Sequence, residues 1–445
     1  MQNYLAGLDK DILKMIRQIG RMADSQGLKA YIVGGIVRDI ILHRKNFDLD
    51  IVIEGNCLEF ASTVAKGVGA RLTRYEQFKT ASLQLSSDAR IDLATARSEF
   101  YAHSGALPRV KEGSLKDDLF RRDFTINALA ICVNRNKFGQ LIDQCNGLED
   151  LRQGRVRILH DQSFVDDPTR ILRSVRFEQR FGFETEENTL SLLKQALKNN
   201  LTKNVKPPRY FAEFKKILAE PEPLKCVKRL DQLGGLKFIA PGLKIEYNAL
   251  RHLERQLGKK DLGLPSGVEK WLLYFMAVVQ NVSPHVLGKI LVQFHLRKEE
   301  REAALVICRG TELKKKISSP KLSRSQVCRI LRPLPLSAVL YLWFDALRLL
   351  TTGLERRTTL SERSESKGYH ERRGGWMFSH LKHFLNKDRD IRLAIDGNDL
   401  KRFGLESGPE IGRILDQVLD EKIDGKVSSK KEELNLAKEL ILCHA

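Results

Sequence analysis

The chain has 445 residues, of which 42% are hydrophobic and 30% are charged, a composition typical of a soluble globular protein with two to four domains. Its 76 lysines and arginines outnumber its 56 aspartates and glutamates, so the formal net charge is +20. Such a surplus favours a polyanionic partner, above all a nucleic acid, because binding to phosphates releases counterions.

Several other classes of protein are disfavoured by the same inspection. The longest apolar run, residues 271–279, is too short to cross a bilayer, so no contact with a membrane is expected. The first residues include acidic side chains and no continuous apolar segment, which argues against a secretory signal. The seven cysteines are scattered without a C-x-x-C pair, which argues against a zinc site or a disulfide framework and favours a reducing cytoplasm.

Hydrophobic periodicity divides the chain into an α/β part and an all-α part. Residues 1–27 have apolar residues at helical spacing, which predicts a first helix. Residues 28–155 predict a mixed α/β unit, with strands over 31–33, 49–53, 71–75, 81–85 and 91–94 and helices over 37–43 and 58–66. From Asp167 onward the pattern predicts helices, clearest over 168–180, 187–197, 208–218, 224–233 and 269–279. The predicted fold class is therefore α+β.

One segment, residues 351–375, differs from its surroundings. It is polar and charged and contains few large aliphatic residues. This composition predicts a flexible surface insertion between helical regions.

Two glycines, Gly34 and Gly35, come after the first predicted strand and precede a helix that contains Arg38. Glycines at such a point let the backbone approach a phosphate closely, and the helix directs its N-terminus toward the anion. The Arg38 guanidinium can add a bidentate contact to phosphate oxygens. A pair of glycines is by itself usually only a turn, so this prediction depends on the acidic residues of the next strand.

Two aspartates, Asp48 and Asp50, flank Leu49 on that strand. Side chains two residues apart point to the same face of a strand, so the carboxylates share a face while Leu49 points into the core. Neighbouring carboxylates attract divalent cations. Together with the glycine turn they predict metal-assisted nucleotidyl transfer, in which the cations activate a 3′-hydroxyl and stabilise the leaving pyrophosphate. Asp92, on a later predicted strand, is a candidate third carboxylate, with a structural acid as the alternative.

The run RRDFTINALA at residues 121–130 places two arginines and Asp123 directly before an apolar segment. Adjacent arginines beside an acid often form a surface charge cluster. Here the apolar residues 126–133 put the charged side chains at the edge of the core. Arg122 is therefore predicted to contact a triphosphate or a ribose.

The run DDPTRILRSVRF at residues 166–177 predicts a helix that has Asp167 as its N-cap and Pro168 at its first position. Capping does not explain four arginines on one side of this helix, opposite an apolar side. A basic face beside an apolar face predicts contacts to a nucleotide or to an RNA backbone. These arginines are Arg170, Arg173, Arg176 and Arg180.

Asp167 and Arg170 are helical neighbours and together could read a base. Cytosine and adenine each present a ring-nitrogen acceptor beside an amino donor, which a guanidinium and a carboxylate can satisfy. Uracil and guanine present an N–H and a carbonyl at those positions and would leave buried groups unpaired. The pair could therefore select C and A without a template.

These motifs and their order along the chain resemble those of the class II tRNA nucleotidyltransferase and bacterial poly(A) polymerase family, which belongs to the DNA-polymerase-β superfamily. The likeness covers about residues 28–240 and is looser beyond. The matching segments are GGIVRD with DLD (34–50), RRDFTINALA (121–130), NGLEDLRQGRVR (146–157), DDPTRILRSVRF (166–177) and PPRYFAEFKKIL (207–218).

The resemblance implies a domain order and a set of site residues. The implied domains are a polymerase-β-like catalytic head (1–155), a neck that recognises the base (156–240), a helical body (241–350), the flexible insertion (351–375) and a tRNA-binding helical tail (376–445). Asp48 and Asp50 would be catalytic and hold Mg²⁺. The implied nucleotide-binding residues are Gly34, Gly35, Arg38, Arg122, Asp123, Asp167, Arg170, Arg173 and Arg176. CTP and ATP would be the substrates and the 3′ acceptor end of tRNA the partner.

Three further positions are interpreted through the resemblance. Asp166 stands where the family usually has Glu, while Asp167 and Arg170 are retained. Arg209 and Glu213 would stabilise the neck helix. Residues 97–116 fall where the family has a flexible loop that helps to switch from C to A addition.

The resemblance leaves the exact activity open. Complete CCA addition, addition of CC only or of A only, and poly(A) synthesis are all compatible with these motifs. A non-catalytic RNA-binding protein on the same fold is disfavoured because Asp48 and Asp50 are intact. A phosphohydrolase domain would need several histidines and aspartates on helices, and the lone His160–Asp161 pair is better interpreted as the end of a strand. The oligomeric state is not indicated.

Overall fold

The computed structural model describes residues 3–44, 48–85, 90–258, 264–357 and 375–444. The chain divides into two compact units, Met1–Phe238 and Ile239–Ala445. This boundary lies close to the predicted end of the neck at residue 240, and the predicted head and neck belong to one unit. The other predicted domain boundaries stay predictions.

The described part of the first unit contains eleven strands. They are β1 Lys29–Val33, β2 Leu49–Glu54, β3 Arg71–Tyr75, β4 Thr80–Gln84, β5 Arg90–Thr95, β6 Arg97–Phe100, β7 Arg109–Glu112, β8 Leu129–Cys132, β9 Leu141–Asp143, β10 Arg155–Val156 and β11 Glu184–Thr185. Seven form one mixed sheet in the order β3-β4-β5-β2-β1-β8-β9, in which β2 and β5 are parallel. The five predicted strands are confirmed as β1 to β5, and the α+β fold class is confirmed.

Ten α-helices accompany these strands in the described part of the first unit. They are α1 Lys10–Ser25, α2 Gly35–Ile41, α3 Cys57–Val68, α4 Leu115–Phe120, α5 Gly147–Arg152, α6 Ser163–Asp166, α7 Arg170–Phe181, α8 Glu187–Lys198, α9 Pro207–Ala219 and α10 Pro223–Gln232. The two predicted helices of the α/β part correspond to α2 and α3. The first four predicted helices after Asp167 correspond to α7 to α10.

The two faces of the seven-stranded sheet have different surroundings. On β2, Ile51 and Ile53 are buried in the main core together with Ile16 and Ile19 of α1 and Phe60 of α3. Alternate residues of a strand point to opposite faces. Val52 accordingly packs in a second, smaller cluster with Leu115 and Leu119 of α4. Because this cluster is small, part of the second face is left to polar side chains, among them those of Asp48 and Asp50.

The described part of the second unit is helical. Its α-helices are α11 Tyr247–Leu257, α12 Lys270–Val279, α13 Pro284–Gln293, α14 Lys298–Ile317, α15 Arg324–Leu331, α16 Leu336–Arg357, α17 over 375–383, α18 Gly397–Lys401, α19 Pro409–Ile423 and α20 Lys430–His444, and a π-helical turn spans Phe384–Asp388. The apolar run 271–279 is fully buried within α12. None of the helices in the described ranges is long and apolar enough to span a bilayer.

The predicted insertion at 351–375 is only partly covered by the structure. Residues 351–357 continue α16, so the helix extends into the segment that was predicted to be a flexible insertion. These residues contain no proline, and extending a helix that has already formed is easier than starting one. Residues 358–374 lie outside the described residues.

We predict that Gly20→Ala destabilises the first unit, although alanine is the better helix former. A Cβ at Gly20 of α1 would lie 1.9 Å from the carbonyl oxygen of Val133, so the helix would have to move away from the sheet. We expect the free energy of unfolding in urea to fall by about 1–3 kcal/mol. Gly412→Ala in α19 is the matched control, since its Cβ would meet no atom within 4 Å. It should be neutral or stabilising by up to about 1 kcal/mol, and equal effects of the two substitutions would contradict this account of the packing.

Candidate active site

The predicted site residues meet in one cleft of the first unit, with a volume of about 650 Å³. The cleft is lined by the turn after β1, by β2, by the segment after α4 and by helices α7 and α9. The predicted residues that line it are Gly34, Gly35, Arg38, Asp50, Arg122, Asp123, Asp167, Arg170, Arg173 and Arg176. Asp48 lies directly before β2, two residues from Asp50.

Asp50 is the acidic centre of the cleft floor. Leu49 is buried while Asp48 and Asp50 are solvent-accessible, as the alternation predicts. Asp50 is paired in register with Asp92 of the parallel strand β5, so Asp92 points to the same face. The surrounding protein partly desolvates Asp50 and raises its pKa to about 6, with Asp92 and Asp48 adding to the shift and Arg122 opposing it. The side chains of Asp50 and Asp92 thus share one cavity, and the role of Asp92 stays a prediction.

The carboxylates of Asp48 and Asp50 fit a hard divalent cation that is also bound by a substrate. In the ranges that the structure covers, no three His, Cys, Asp or Glu side chains are grouped so as to hold a metal ion. A cation such as Mg²⁺ is commonly held by one or two carboxylates together with phosphate oxygens and water. The mutual repulsion of Asp48 and Asp50, which contributes to the raised pKa of Asp50, would be relieved by such a cation.

Gly34 allows an arginine to approach the turn closely. Its φ is +78°, in the region that favours glycine, and a Cβ there would lie 2.6 Å from Nη1 of Arg122. Gly35 then begins α2. The turn, the first N–H groups of α2 and the Arg122 guanidinium therefore lie together at one end of the cleft, as an anion site requires.

A buried acid that the motifs did not reveal orients Arg121 and Arg122. Asp118 is fully buried, and its Oδ1 accepts from Arg121 Nε at 2.9 Å while its Oδ2 accepts from Arg122 Nη2 at 2.8 Å. Burial alone would raise the pKa of Asp118, but the two arginines outweigh it and lower the pKa. The spacing of Asp118 to the arginines, three and four residues along a helix, is the sequence signal that could have identified it.

Asp123 connects three segments of the cleft. Arg173 Nε of α7 donates to Asp123 Oδ2 at 2.8 Å, and Asn127 Nδ2 donates to Asp123 Oδ1 at 2.9 Å. Asn127 in turn accepts from Arg38 Nη1 at 2.6 Å. Burial favours the neutral acid, but Arg173 and the Asn127 amide outweigh it and lower the pKa of Asp123 to about 2.

Arg38 is held by the protein more fully than its sequence position suggested. It is 4% exposed, its Nε donates to Asp39 Oδ1 at 2.9 Å, and its guanidinium lies 4.6 Å from the ring centroid of Phe181. With one donor on Asn127 and another on Asp39, Arg38 supports the wall of the cleft. A contact from its remaining donors to phosphate stays a prediction.

Asp167 and Arg170 face the cleft from the start of α7, and the α-helix begins two residues later than predicted. The helix begins at Arg170 with Thr169 as its cap, because the backbone bonds from Arg170 N to Asp167 O and from Ile171 N to Pro168 O are i→i+3 turns. Asp167 Oδ1 accepts from the backbone N–H of Thr169 at 3.0 Å, which caps the turn before the helix, and also from Thr169 Oγ1 at 2.7 Å and Arg209 Nη2 at 3.2 Å. Arg209 thereby supports Asp167, in addition to its predicted role in the neck helix.

The Arg170 guanidinium is fixed in position. It is 5% exposed, Nη1 donates to Ser163 Oγ at 2.6 Å, and Nη2 donates to the carbonyl of Arg121 at 2.9 Å. A guanidinium has five N–H donors, so these two bonds orient the group without using all of them. Arg170 lines the cleft together with Arg173, Arg176 and Arg180, but it is buried, which the predicted basic face did not indicate.

Two other predicted features are also located. Residues 97–116 contain the antiparallel hairpin β6–β7, where the resemblance implied a flexible loop. Its tip is held by Arg209, whose Nη1 donates to the Gly105 carbonyl at 2.9 Å. His160 Nε2 lies 3.9 Å from Asp166 Oδ2, and burial together with Arg170 lowers the pKa of His160.

Comparison with known proteins identifies the family. The family described as "Poly A polymerase head domain" matches residues 30–157, and the one described as "Probable RNA and SrmB- binding site of polymerase A" matches residues 182–246. The A-adding tRNA nucleotidyltransferase of Geobacter sulfurreducens is 34% identical over 439 residues, which are 97% of this chain and 47% of that protein. The chain spans about half the length of the curated relatives it matches.

Solved structures extend the likeness over the whole chain. An apo form of a CCA-adding enzyme is 32% identical, has a TM-score of 0.73 and is matched over 100% of both chains. The Thermotoga maritima CCA-adding enzyme complexed with tRNA is also 32% identical, with a TM-score of 0.67 over 98% of this chain and 97% of that one. The chain belongs to the tRNA nucleotidyltransferase and poly(A) polymerase family.

We predict that the Asp123–Arg173 ion pair stabilises the first unit by about 2 kcal/mol at pH 7, which corresponds to lowering the pKa of Asp123 from 3.8 to about 2. Because the folded pKa is the lower one, this stability is present above pH 4 and is lost as the pH falls toward 2. Urea unfolding of the protein and of Asp123→Asn should differ by about 2 kcal/mol at pH 7 and by about half of that at pH 3. A difference that does not change with pH would contradict the ion pair.

Proposed function

We propose that this protein is a template-independent tRNA nucleotidyltransferase that transfers C and A residues from CTP and ATP to the 3′ end of tRNA, with Mg²⁺ held by Asp48 and Asp50. One observation carries the proposal. A single cleft joins the carboxylate of Asp50 to an anion site at Gly34 and Arg122 and to the Asp167–Arg170 pair. These are the three parts that transfer of a selected nucleotide requires.

The transfer reaction follows from where the cleft would hold the cation and the triphosphate. The 3′ oxygen of the RNA forms a bond to the α-phosphorus of the nucleotide, the bond from that phosphorus to the bridging oxygen breaks, and pyrophosphate leaves with the electron pair. The hydroxyl proton passes to water. When bound, Mg²⁺ supplies charge that favours the 3′ alkoxide and neutralises the triphosphate. The start of α2 and the Arg122 guanidinium hold phosphate oxygens, and Gly34, which has no side chain, leaves room for them at that end of the cleft.

Base selection is assigned to Asp167 and Arg170. Both side chains are fixed by hydrogen bonds to other protein groups, so neither can turn to suit a wrong base. Uracil and guanine would leave a carboxylate or a guanidinium without a partner in a confined site, and that cost discriminates strongly.

Addition of the terminal A alone is the second candidate. The Geobacter relative, which is matched over nearly all of this chain, is named an A-adding enzyme. The structural features of the cleft are common to both candidates, since cytosine and adenine satisfy the same pair of side chains.

The deciding experiment uses three tRNA transcripts, ending before CCA, after C and after CC, with each nucleoside triphosphate and Mg²⁺. Addition of C, C and A with a stop after the A supports complete CCA addition. Addition of a single A to the CC-ended transcript only supports the A-adding alternative, and addition of CC only places the protein as the other half of a split pair. A long ladder of A residues on many RNAs would show poly(A) synthesis instead.

We predict that Asp48→Ala lowers nucleotide transfer at least about a hundredfold, because the cation loses one of its two protein ligands. Binding of tRNA, measured by fluorescence anisotropy, should stay within about twofold of the original. Asp11→Ala, at an exposed acid of α1, is the matched control and should be fully active. Near-normal transfer by Asp48→Ala would contradict the assignment of Asp48 as a ligand of the cation.

We predict that Arg170→Lys weakens base selection. Lysine keeps the charge but cannot present a fixed pair of N–H donors. The ratio of kcat/KM for ATP to that for GTP should fall at least about tenfold. Circular dichroism and the urea midpoint verify that the buried position tolerates the change. An unaltered ratio in a folded variant would show that Arg170 does not read the base.

A further inference from the structure

A second cavity, of about 360 Å³, shares Asp50, Arg121 and Arg122 with the cleft. The cleft extends from Asp50 toward Gly34 at the end of β1. The second cavity extends the other way across the sheet and is lined by residues of β5, β4 and the end of β3, including Asp92, Thr80 and Tyr75. Asp50 therefore lies where the two cavities meet.

The strand register arranges the floor of this cavity in rows. Asp50 is paired with Asp92, which is paired with Ser82. In the next row, Val52 is paired with Ala94, Ala94 with Thr80, and Thr80 with Tyr75. Partners in register point to the same face. The floor thus has a polar row with two acids beside a row of small side chains that ends at the Tyr75 ring.

Two side chains at the border of the cavity are suited to a nucleotide. The Tyr75 side chain lies on the edge strand β3 and is 46% exposed, so its ring is accessible to a ligand in the cavity. Arg90 Nε donates to Asp92 Oδ1 at 2.8 Å, and both side chains stay about half exposed. Aromatic rings beside arginines are the means by which proteins bind single-stranded RNA.

The geometry of the transfer reaction requires a second subsite here. The attacking and leaving oxygens lie roughly in line, on opposite sides of the phosphorus. With the triphosphate held at Gly34 and Arg122, the acceptor hydroxyl has to reach Asp48 and Asp50 from the side of the second cavity.

We propose that this cavity binds the terminal nucleotide of the RNA acceptor strand, with the Tyr75 ring stacked on the base and Arg90 in contact with its phosphate. The small side chains of Val52 and Ala94 leave room for the base, and Arg90 exchanges its partner Asp92 for the phosphate. This assignment rests on the proposed function, which supplies the RNA acceptor.

The test is equilibrium binding of a short single-stranded RNA that ends in CC with a free 3′-hydroxyl, measured by fluorescence anisotropy with the full chain. Tyr75→Ala should weaken binding at least about fivefold, the lower limit for loss of one stacked base. Tyr75→Phe keeps the ring and should bind within about twofold of the original. Arg90→Gln should weaken binding and lower the slope of log affinity against log salt by about one.

The charge control is Arg21→Gln. Arg21 is an exposed residue of α1, and this helix packs on the opposite face of the sheet. The substitution should leave the affinity and the salt slope of this short RNA unchanged. Equal losses in Arg21→Gln and Arg90→Gln would overturn the phosphate contact, because the effect would then be one of net charge.

Steady-state kinetics gives an independent readout. Tyr75→Ala should raise KM for the RNA at least about fivefold and leave KM for ATP within about twofold. Unchanged RNA binding in Tyr75→Ala, an equal loss in Tyr75→Phe, or an equal rise in both KM values would overturn the proposal. If the unaltered protein extends no RNA, the proposed function fails by that result alone. The binding comparison, which needs no turnover, still decides whether the cavity holds an RNA terminus.

Discussion

The buried carboxylate of Asp123 is the interaction on which the cleft depends. It accepts from Arg173 of α7 and from Asn127, and Asn127 accepts from Arg38 of α2. Helix α2, the segment after α4 and helix α7 are therefore connected by one acid and its hydrogen-bond partners. A buried ion pair of this kind persists because its charges are also hydrogen-bonded, and removal of one partner would leave the other uncompensated. These bonds determine how α2 and α7 are placed on either side of Asp123.

A second constraint is the charge balance of the cleft. Eight arginines and five acids line it, which leaves a surplus of three positive charges. Some of these arginines are already paired, as Arg121 and Arg122 are with Asp118. Asp118 is not one of the five acids that line the cleft, and it holds the two guanidinium groups in position. Under the proposed function, the donors that would contact a triphosphate are held in place before it binds.

The two faces of the sheet have different roles, because one packs in the core and the other presents the carboxylates. Alternation on β2 sends Ile51 and Ile53 into the main core and leaves Asp48 and Asp50 on the other face. The core is therefore built by the same strand that presents the carboxylates. This placement explains how β2 can be central in the sheet and still carry Asp50, with Asp48 directly before the strand, which a strand buried on both faces could not tolerate.

Features that depend on the spacing of nearby residues could be predicted from the sequence. The five strands β1 to β5, the same-face acids of β2 and the arginines of α7 are indicated by spacing alone. Contacts between distant segments could not be predicted in this way. Examples are the Asp123–Arg173 pair, which joins residues 50 positions apart, and the bond from Arg170 to the Arg121 carbonyl. The start of α7 was predicted two residues too early because the residues after Asp167 form a turn with i→i+3 bonds before the α-helix begins at Arg170.

The central claim is that one cleft both selects the base and transfers the nucleotide. The most direct measurement is a crystal structure of the protein with a non-hydrolysable ATP analogue and Mg²⁺. We predict that the adenine contacts Asp167 and Arg170, that the triphosphate lies at Gly34 and Arg122, and that the cation contacts Asp48 and Asp50. An analogue bound elsewhere, or bound in this cleft with its base away from Asp167 and Arg170, would contradict the account.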